Sequence, residues 1–220
     1  FRFRHLWLPD SIRHLKGEDL KNAIPDKIYI SLKDMRILTK VDMLMLEMLA
    51  NCNWERPLYM AISVGEVSKL KFDHYFVQEG LAFRFTPFDY KKWGNVKGDN
   101  NYAIDVERLY ENVMNRYKYG GLDTPGLYLD ETTLRTCYYH RRLFAQLAKE
   151  LIRQGDNTRA RKVLTYAEQA VPAYNVPETY ESGSFDIAKA YAALGEKTKA
   201  MPLLKYLTAE SEDISTGHSH

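Results

Sequence analysis

Residue types that could do chemistry occur along this chain, but their spacing seldom brings them together. Of the six histidines, only His218 and His220 stand close enough to share a ligand, and they lie on a polar tail. Cys137 and His140 are one helical turn apart, so a helix would present both on one side. Two ligands fall short of a metal site, which needs further ligands or an open coordination position. Neither a metal nor any other cofactor is therefore expected. Asp130-Glu131 looks like a carboxylate pair, yet neighbours on a helix diverge by about 100° and do not face each other. A helix N-cap followed by an acid in the first turn accounts for both. There is no G-x-G-x-x-G, no P-loop, no G-x-S-x-G and no H-E-x-x-H. The segment with Tyr90, Trp93 and Tyr102 is the best candidate for exposed aromatics, whose faces could stack on a ligand.

Charge narrows the partners. The net charge is +2, from 31 basic and 29 acidic residues that are interspersed. Nucleic-acid binders concentrate basic residues on a stripe, so no nucleic-acid partner is expected. No run approaches the roughly 18 uninterrupted apolar residues of a membrane span. The start at Phe1-Arg2-Phe3-Arg4 shows no signal-peptide pattern and suggests a segment of a longer polypeptide. Cys52 and Cys137 could pair, but one pair makes no disulfide framework. Cys137 sits among apolar helix positions and reads as a buried small hydrophobe.

The elements that must position these residues change character along the chain. Lys27–Leu32 alternates apolar and polar residues, as a half-buried strand does. Thr39 and Asp42 form a capping box for a helix whose apolar residues cover nearly its whole circumference. That predicts a central, buried helix ending at Asn51-Cys52-Asn53. Leu58–Ile62 and Leu81–Thr86 read as two further strands, with a short helix over Phe72–Gln78 between them. The order strand, helix, strand, short helix, strand points to a largely parallel layer. Residues 89–103 read as a surface loop. Asp105 then caps a helix stopped by Gly120-Gly121.

From Asp130 the pattern is helical only. Residues 147–164 and 187–204 repeat at an offset of forty, with six of eighteen positions identical, among them Ala148/Ala188, Gly155/Gly195 and Ala160/Ala200. Small alanines let helices approach, and glycine supplies a left-handed turn. The pattern resembles the tetratricopeptide repeat, with Ala148, Leu151, Gly155, Ala160, Leu164, Ala167 and Pro172 at the signature positions of the first copy. Its offset exceeds the usual spacing of about 34 residues, and Pro202 falls early in the last helix. The helices are expected over 130–154, 157–171, 180–194 and 198–209, with a frayed tail from Ser211.

Three strings carry a second resemblance: Asn53-Trp54-Glu55-Arg56-Pro57-Leu58-Tyr59, then Tyr75–Arg84 with its Gln78-Glu79-Gly80, then Gly120-Gly121-Leu122-Asp123-Thr124-Pro125 followed by Tyr128–Thr132 and Arg135. Together they resemble the C-terminal region of bacterial multi-pass membrane proteins related to protein O-mannosyltransferases. The resemblance implies a parent with membrane helices and a GT-C-type glycosyltransferase fold, a periplasmic location for this segment, and catalytic residues outside it. Trp54, Arg56, Tyr59, Glu79, Arg84 and Asp123 are the candidate binding or clamp residues. Glu79 and Arg84 are expected to pair with Asp123 or Arg56.

The expected fold is α+β: a small, mostly parallel three-stranded α/β layer over residues 1–125, then two TPR-like hairpins over 126–210 packed on it, and a tail over 211–220. The expected function is a non-catalytic accessory domain of a membrane glycosyltransferase. Its partners would be the membrane-embedded N-terminal part of the same polypeptide and an acceptor protein or peptide. The alternatives are a TPR-like peptide-interaction module and an independent enzyme of unknown type, for which no motif speaks.

Overall fold

The computed structural model describes residues 15–23, 27–28, 30, 32, 37–52, 57–64, 73–90 and 102–216. Trp54, Arg56, Trp93 and the His218/His220 pair lie outside the described residues. The chain forms two units, Phe1–Leu109 and Tyr110–His220.

The first unit holds helices α1 (Gly17–Ala23) and α2 (Lys40–Asn51) and a four-stranded sheet. Its strands are β1 (Tyr59–Ala61), β2 (Phe76–Gln78), β3 (Ala82–Phe85) and β4 (Ala103–Ile104), in the order β1-β3-β2-β4. β3 runs antiparallel to β1 and to β2, and only β4 is parallel to β2. The sheet is thus mixed, not the mostly parallel three-stranded layer read from the sequence. One misplaced element explains the difference. Where a short helix was expected, Asp73–Tyr75 makes a single 3-10 turn and Phe76–Gln78 extends into a strand. Three residues then separate β2 from β3, and the Glu79 N–H donates to the Ala82 carbonyl at 3.1 Å. A connection that short can only join antiparallel strands. β2 is buried along its whole length, so it carries no polar–apolar alternation by which to recognise it.

The core of this unit is aromatic. Tyr75, Phe76, Phe83 and Phe85 are buried together, and the Phe76 and Phe85 rings lie 5.5 Å apart. Ile28 and Ile30 rest half-buried on this cluster, but the described residues of the expected 27–32 strand form none. α2 forms as expected. The Thr39 N–H donates to the Asp42 carboxylate at 2.8 Å, and the Asp42 N–H donates to the Thr39 hydroxyl at 3.2 Å. It is not, however, a central buried helix. Met45, Leu46 and Leu49 lie against the aromatic cluster, while Val41, Met43, Leu44 and Met48 face solvent. So small a sheet has room for one side of a helix only.

The second unit is helical. Asp105 caps α3 (Val106–Glu111), accepting the Arg108 N–H at 3.1 Å, and the division between units falls within this helix. A π-helical turn, Asn112–Arg116, continues α3 and ends it before the expected Gly120-Gly121 stop. Then come α4 (Glu131–Arg153), α5 (Asn157–Ala170), α6 (Ser184–Ala193) and α7 (Lys197–Thr216). α4 packs on both α5 and α6, and α6 packs on α7. Asp130 and Asp156 cap α4 and α5 with their carboxylates. α6 starts at Ser184, later than expected. α7 runs on to Thr216 through the segment expected to fray, with Pro202 inside it.

The two helix–helix turns match bond for bond. At the first, the Gly155 N–H reaches the Ile152 carbonyl and the Asp156 N–H reaches that of Leu151, both at 2.9 Å. At the second, Gly195 reaches Ala192 and Glu196 reaches Tyr191, both at 3.0 Å. Gly155 and Gly195 have φ of +83° and +79°, a left-handed conformation that a Cβ disfavours. Ala148 and Ala188, forty positions apart, are both fully buried.

Candidate functional site

Glu79 is the hub of a charge cluster in the first unit. It follows β2 directly, so the hairpin turn aims its carboxylate at the neighbouring strand. Arg84, paired in register with Val77 and Tyr59 on β3, meets it at 2.6 Å. Both side chains are buried, at 3% exposure for Arg84 and 7% for Glu79. The other carboxylate oxygen accepts from the Tyr59 hydroxyl at 3.2 Å and lies 3.5 Å from Arg108. Arg108 in turn lies 3.9 Å from the buried carboxylate of Asp105. Among the described residues two carboxylates and two guanidiniums thus meet. Burial, then the Glu79 carboxylate, push the Tyr59 phenol above its ordinary pKa, so it remains a neutral donor. Beside this cluster Gln78 is fully buried, and its side-chain N–H donates to the Gly80 carbonyl at 3.2 Å.

Such a cluster clamps more readily than it catalyses. Each acid is matched by a guanidinium, and removing one partner would strand a buried charge, at a cost of about 3–5 kcal/mol. The Glu79–Arg84 pair fastens the hairpin, while Tyr59 ties in β1 and Arg108 ties in α3.

The second unit buries an arginine differently. Arg141, on α4, donates to three main-chain carbonyls: Val176 at 2.6 Å, Pro177 at 2.7 Å and Val171 at 3.1 Å. It also lies 3.4 Å from the Ser184 hydroxyl. Burial lowers its pKa, an effect opposed by the Glu178 carboxylate. The three carbonyls belong to residues 171–183, the irregular connector between α5 and α6, and Ser184 opens α6. Asn175, on the same connector, donates to the carbonyls of Leu122 and Thr124 at 2.7 and 2.6 Å, and the Tyr174 hydroxyl donates to that of Asp123 at 2.8 Å. Arg142 donates to the Glu181 carbonyl from its Nε at 2.9 Å. At Gly183, with φ of +87°, a Cβ would come within 2.8 Å of the Arg142 side chain, so glycine is required there.

The candidate residues end up as follows. Glu79 and Arg84 pair with each other and Tyr59 joins them, while the expected partner Arg56 lies outside the described residues. Asp123 lies in the other unit, where its main-chain carbonyl is used. Tyr90, expected on an exposed aromatic loop, is fully buried. It receives a 3.3 Å hydrogen bond from Thr86, and burial raises its pKa. Tyr102 is half-buried, edge-on to Phe83 at 4.7 Å. Cys137 is buried as expected, and both Cys52 and Cys137 are free thiols. Among the described residues no three His, Cys, Asp or Glu side chains cluster as metal ligands would. No described helix is long and apolar enough to cross a membrane.

Sequence reading missed Arg108 and Arg141. Arg108 lies three residues after the cap Asp105, a spacing that could have suggested the pair. Arg141 stands on the apolar face of a helix, and an arginine there is the available signal of a buried cation.

Residues 11–107 match the family model of TMEM260-associated domain 2. That match spans a little under half of the chain. It contains the clamp residues Tyr59, Glu79 and Arg84 and the first two of the three resembling strings. It is consistent with a TMEM260-like family related to O-mannosyltransferases. The match is to an associated domain, which is compatible with a non-catalytic piece. No curated protein and no solved structure matches the chain.

Proposed function

We propose that this chain is a non-catalytic accessory domain of a TMEM260-like membrane protein related to protein O-mannosyltransferases. In this reading it lies on the periplasmic side of the bacterial inner membrane, beside the membrane-embedded N-terminal part of the same polypeptide, and guides acceptor protein to it. The family-model match over residues 11–107 carries the reading. The Glu79 cluster supports it, because the Glu79 carboxylate is held in an ion pair with the buried Arg84. Assay with lipid-phosphate-linked sugars tests it. The chain alone should give no turnover. In the parent polypeptide, Arg84→Met should slow transfer to a protein acceptor more than transfer to a short peptide. Turnover by the isolated chain would overturn the proposal.

A second reading, a TPR-like peptide-binding module, is favoured by the two matching turns forty residues apart. Peptide titration followed by NMR would shift α4 and α6 resonances if the paired helices form a binding face. Shifts confined to the first unit would rule that face out.

A further inference from the structure

We propose that His140 is an acid-sensitive latch that holds the segment Tyr117–Leu122 on helices α4 and α5. The segment follows the π-helical turn and has no regular structure of its own. Its far end is fastened by hydrogen bonds that do not titrate near neutrality, from Asn175 to the carbonyls of Leu122 and Thr124. Its near end is fastened by rings. Tyr117 and Tyr119 meet the His140 imidazole edge-on, with centroids 6.0 and 5.2 Å away. Tyr119 also packs on Phe144 of α4 and on Tyr166 of α5, and its hydroxyl donates to the Val113 carbonyl of the π turn at 2.7 Å. The imidazole therefore sits where the segment joins the helices.

Aromatic rings meet this imidazole, and among the described residues no carboxylate is hydrogen-bonded to it or paired with it. The segment contributes the phenols of Tyr117 and Tyr119, and Tyr166 of α5 packs behind Tyr119. On its own helix the Cys137 thiol lies one turn away, and the adjacent titratable groups are the Tyr139 phenol and the Arg141 guanidinium, the latter engaged by the connector carbonyls. His140 Nδ1 is sealed from solvent and has no hydrogen-bond partner. A proton added there finds no acceptor among the described residues. Burial accordingly lowers the His140 pKa.

The sign follows from linkage. The folded pKa is depressed below the unfolded value of about 6.5. The stability that neutral His140 confers is present above that value and lost as pH falls through the folded pKa. Over that window one proton is taken up on opening, so the opening equilibrium rises about tenfold per pH unit. Because the Asn175 end does not titrate there, opening begins at Tyr117–Tyr119.

Hydrogen exchange on the full chain, corrected for intrinsic rates, tests this between pH 7.5 and 5.0. Amides of residues 112–122 should open about tenfold more per pH unit below about 6.5, while amides of α6 stay flat. In His140→Phe the slope at 112–122 should vanish. A flat wild-type profile, or an unchanged slope in His140→Phe, overturns the latch. If His140→Phe does not fold, NMR titration of the wild-type imidazole decides instead. A pKa below about 6.5 upholds the latch, and one at or above that value overturns it.

Discussion

Among the described residues each unit buries one arginine, and the two are held by opposite means. Arg84 meets a carboxylate, that of Glu79, at 2.6 Å. Arg141 meets neutral carbonyls of a stretch that has no helix or strand to use them. The first arginine fastens strands that hydrogen-bond one another anyway. The second supplies the hydrogen bonds that its connector would otherwise lack. A buried cation can thus be a charge partner in one place and a mould for backbone in another.

The comparison breaks most easily at Arg141. Arg141→Met takes the donor from three main-chain carbonyls, of which those of Val171 and Val176 are buried, and should cost about 4 kcal/mol, read from chemical unfolding of the full chain by circular dichroism at 222 nm. Arg84→Met should cost about 3 kcal/mol by taking from the buried Glu79 the cation 2.6 Å away; among the described residues its other cation, Arg108, is more distant and partly exposed. The double change Glu79→Leu/Arg84→Met should cost less than the sum of its single changes in a double-mutant cycle, because removing both charges strands neither. No second substitution should rescue Arg141→Met in this way. If Arg84→Met proves the more damaging, the contrast between the two arginines is wrong.

Smaller effects sharpen it. Gly155→Ala and Gly195→Ala should each cost about 1 kcal/mol, and similar amounts, because both residues hold the same left-handed turn. Unequal values, measured by denaturant midpoints, would show that the two helical pairs repeat in sequence but not in energetics. Leu44→Ser on the solvent side of α2 should change stability by less than about 0.5 kcal/mol. A large loss there would mean that this side of the helix is covered in solution.

The helical unit was legible because its rules are local. Asp130, Asp156, Gly155 and Gly195 announced caps and turns within a few residues of where they act. The α+β class was legible too, but the sheet was not. β2 is three residues long and buried throughout, so only its partner β3 shows it to be a strand. α2 misled for a related reason. Apolar residues all round a helix announce burial only where there is enough core to receive them. In the candidate site, Glu79 and Arg84 could be singled out from their string, but their mutual pairing depends on the hairpin, which the expected helix obscured. Tyr90 looked like an exposed aromatic because its neighbours are polar. Nothing local reports that its ring points inward.

The connector gripped by Arg141 bears on how such chains can vary. A guanidinium held by three main-chain oxygens and one serine hydroxyl is largely blind to which side chains pass over it, yet it measures how far apart those oxygens lie. A substitution at the exposed Ala173 should carry little penalty, whereas gaining or losing a single residue between Val171 and Val176 would throw every contact out of step.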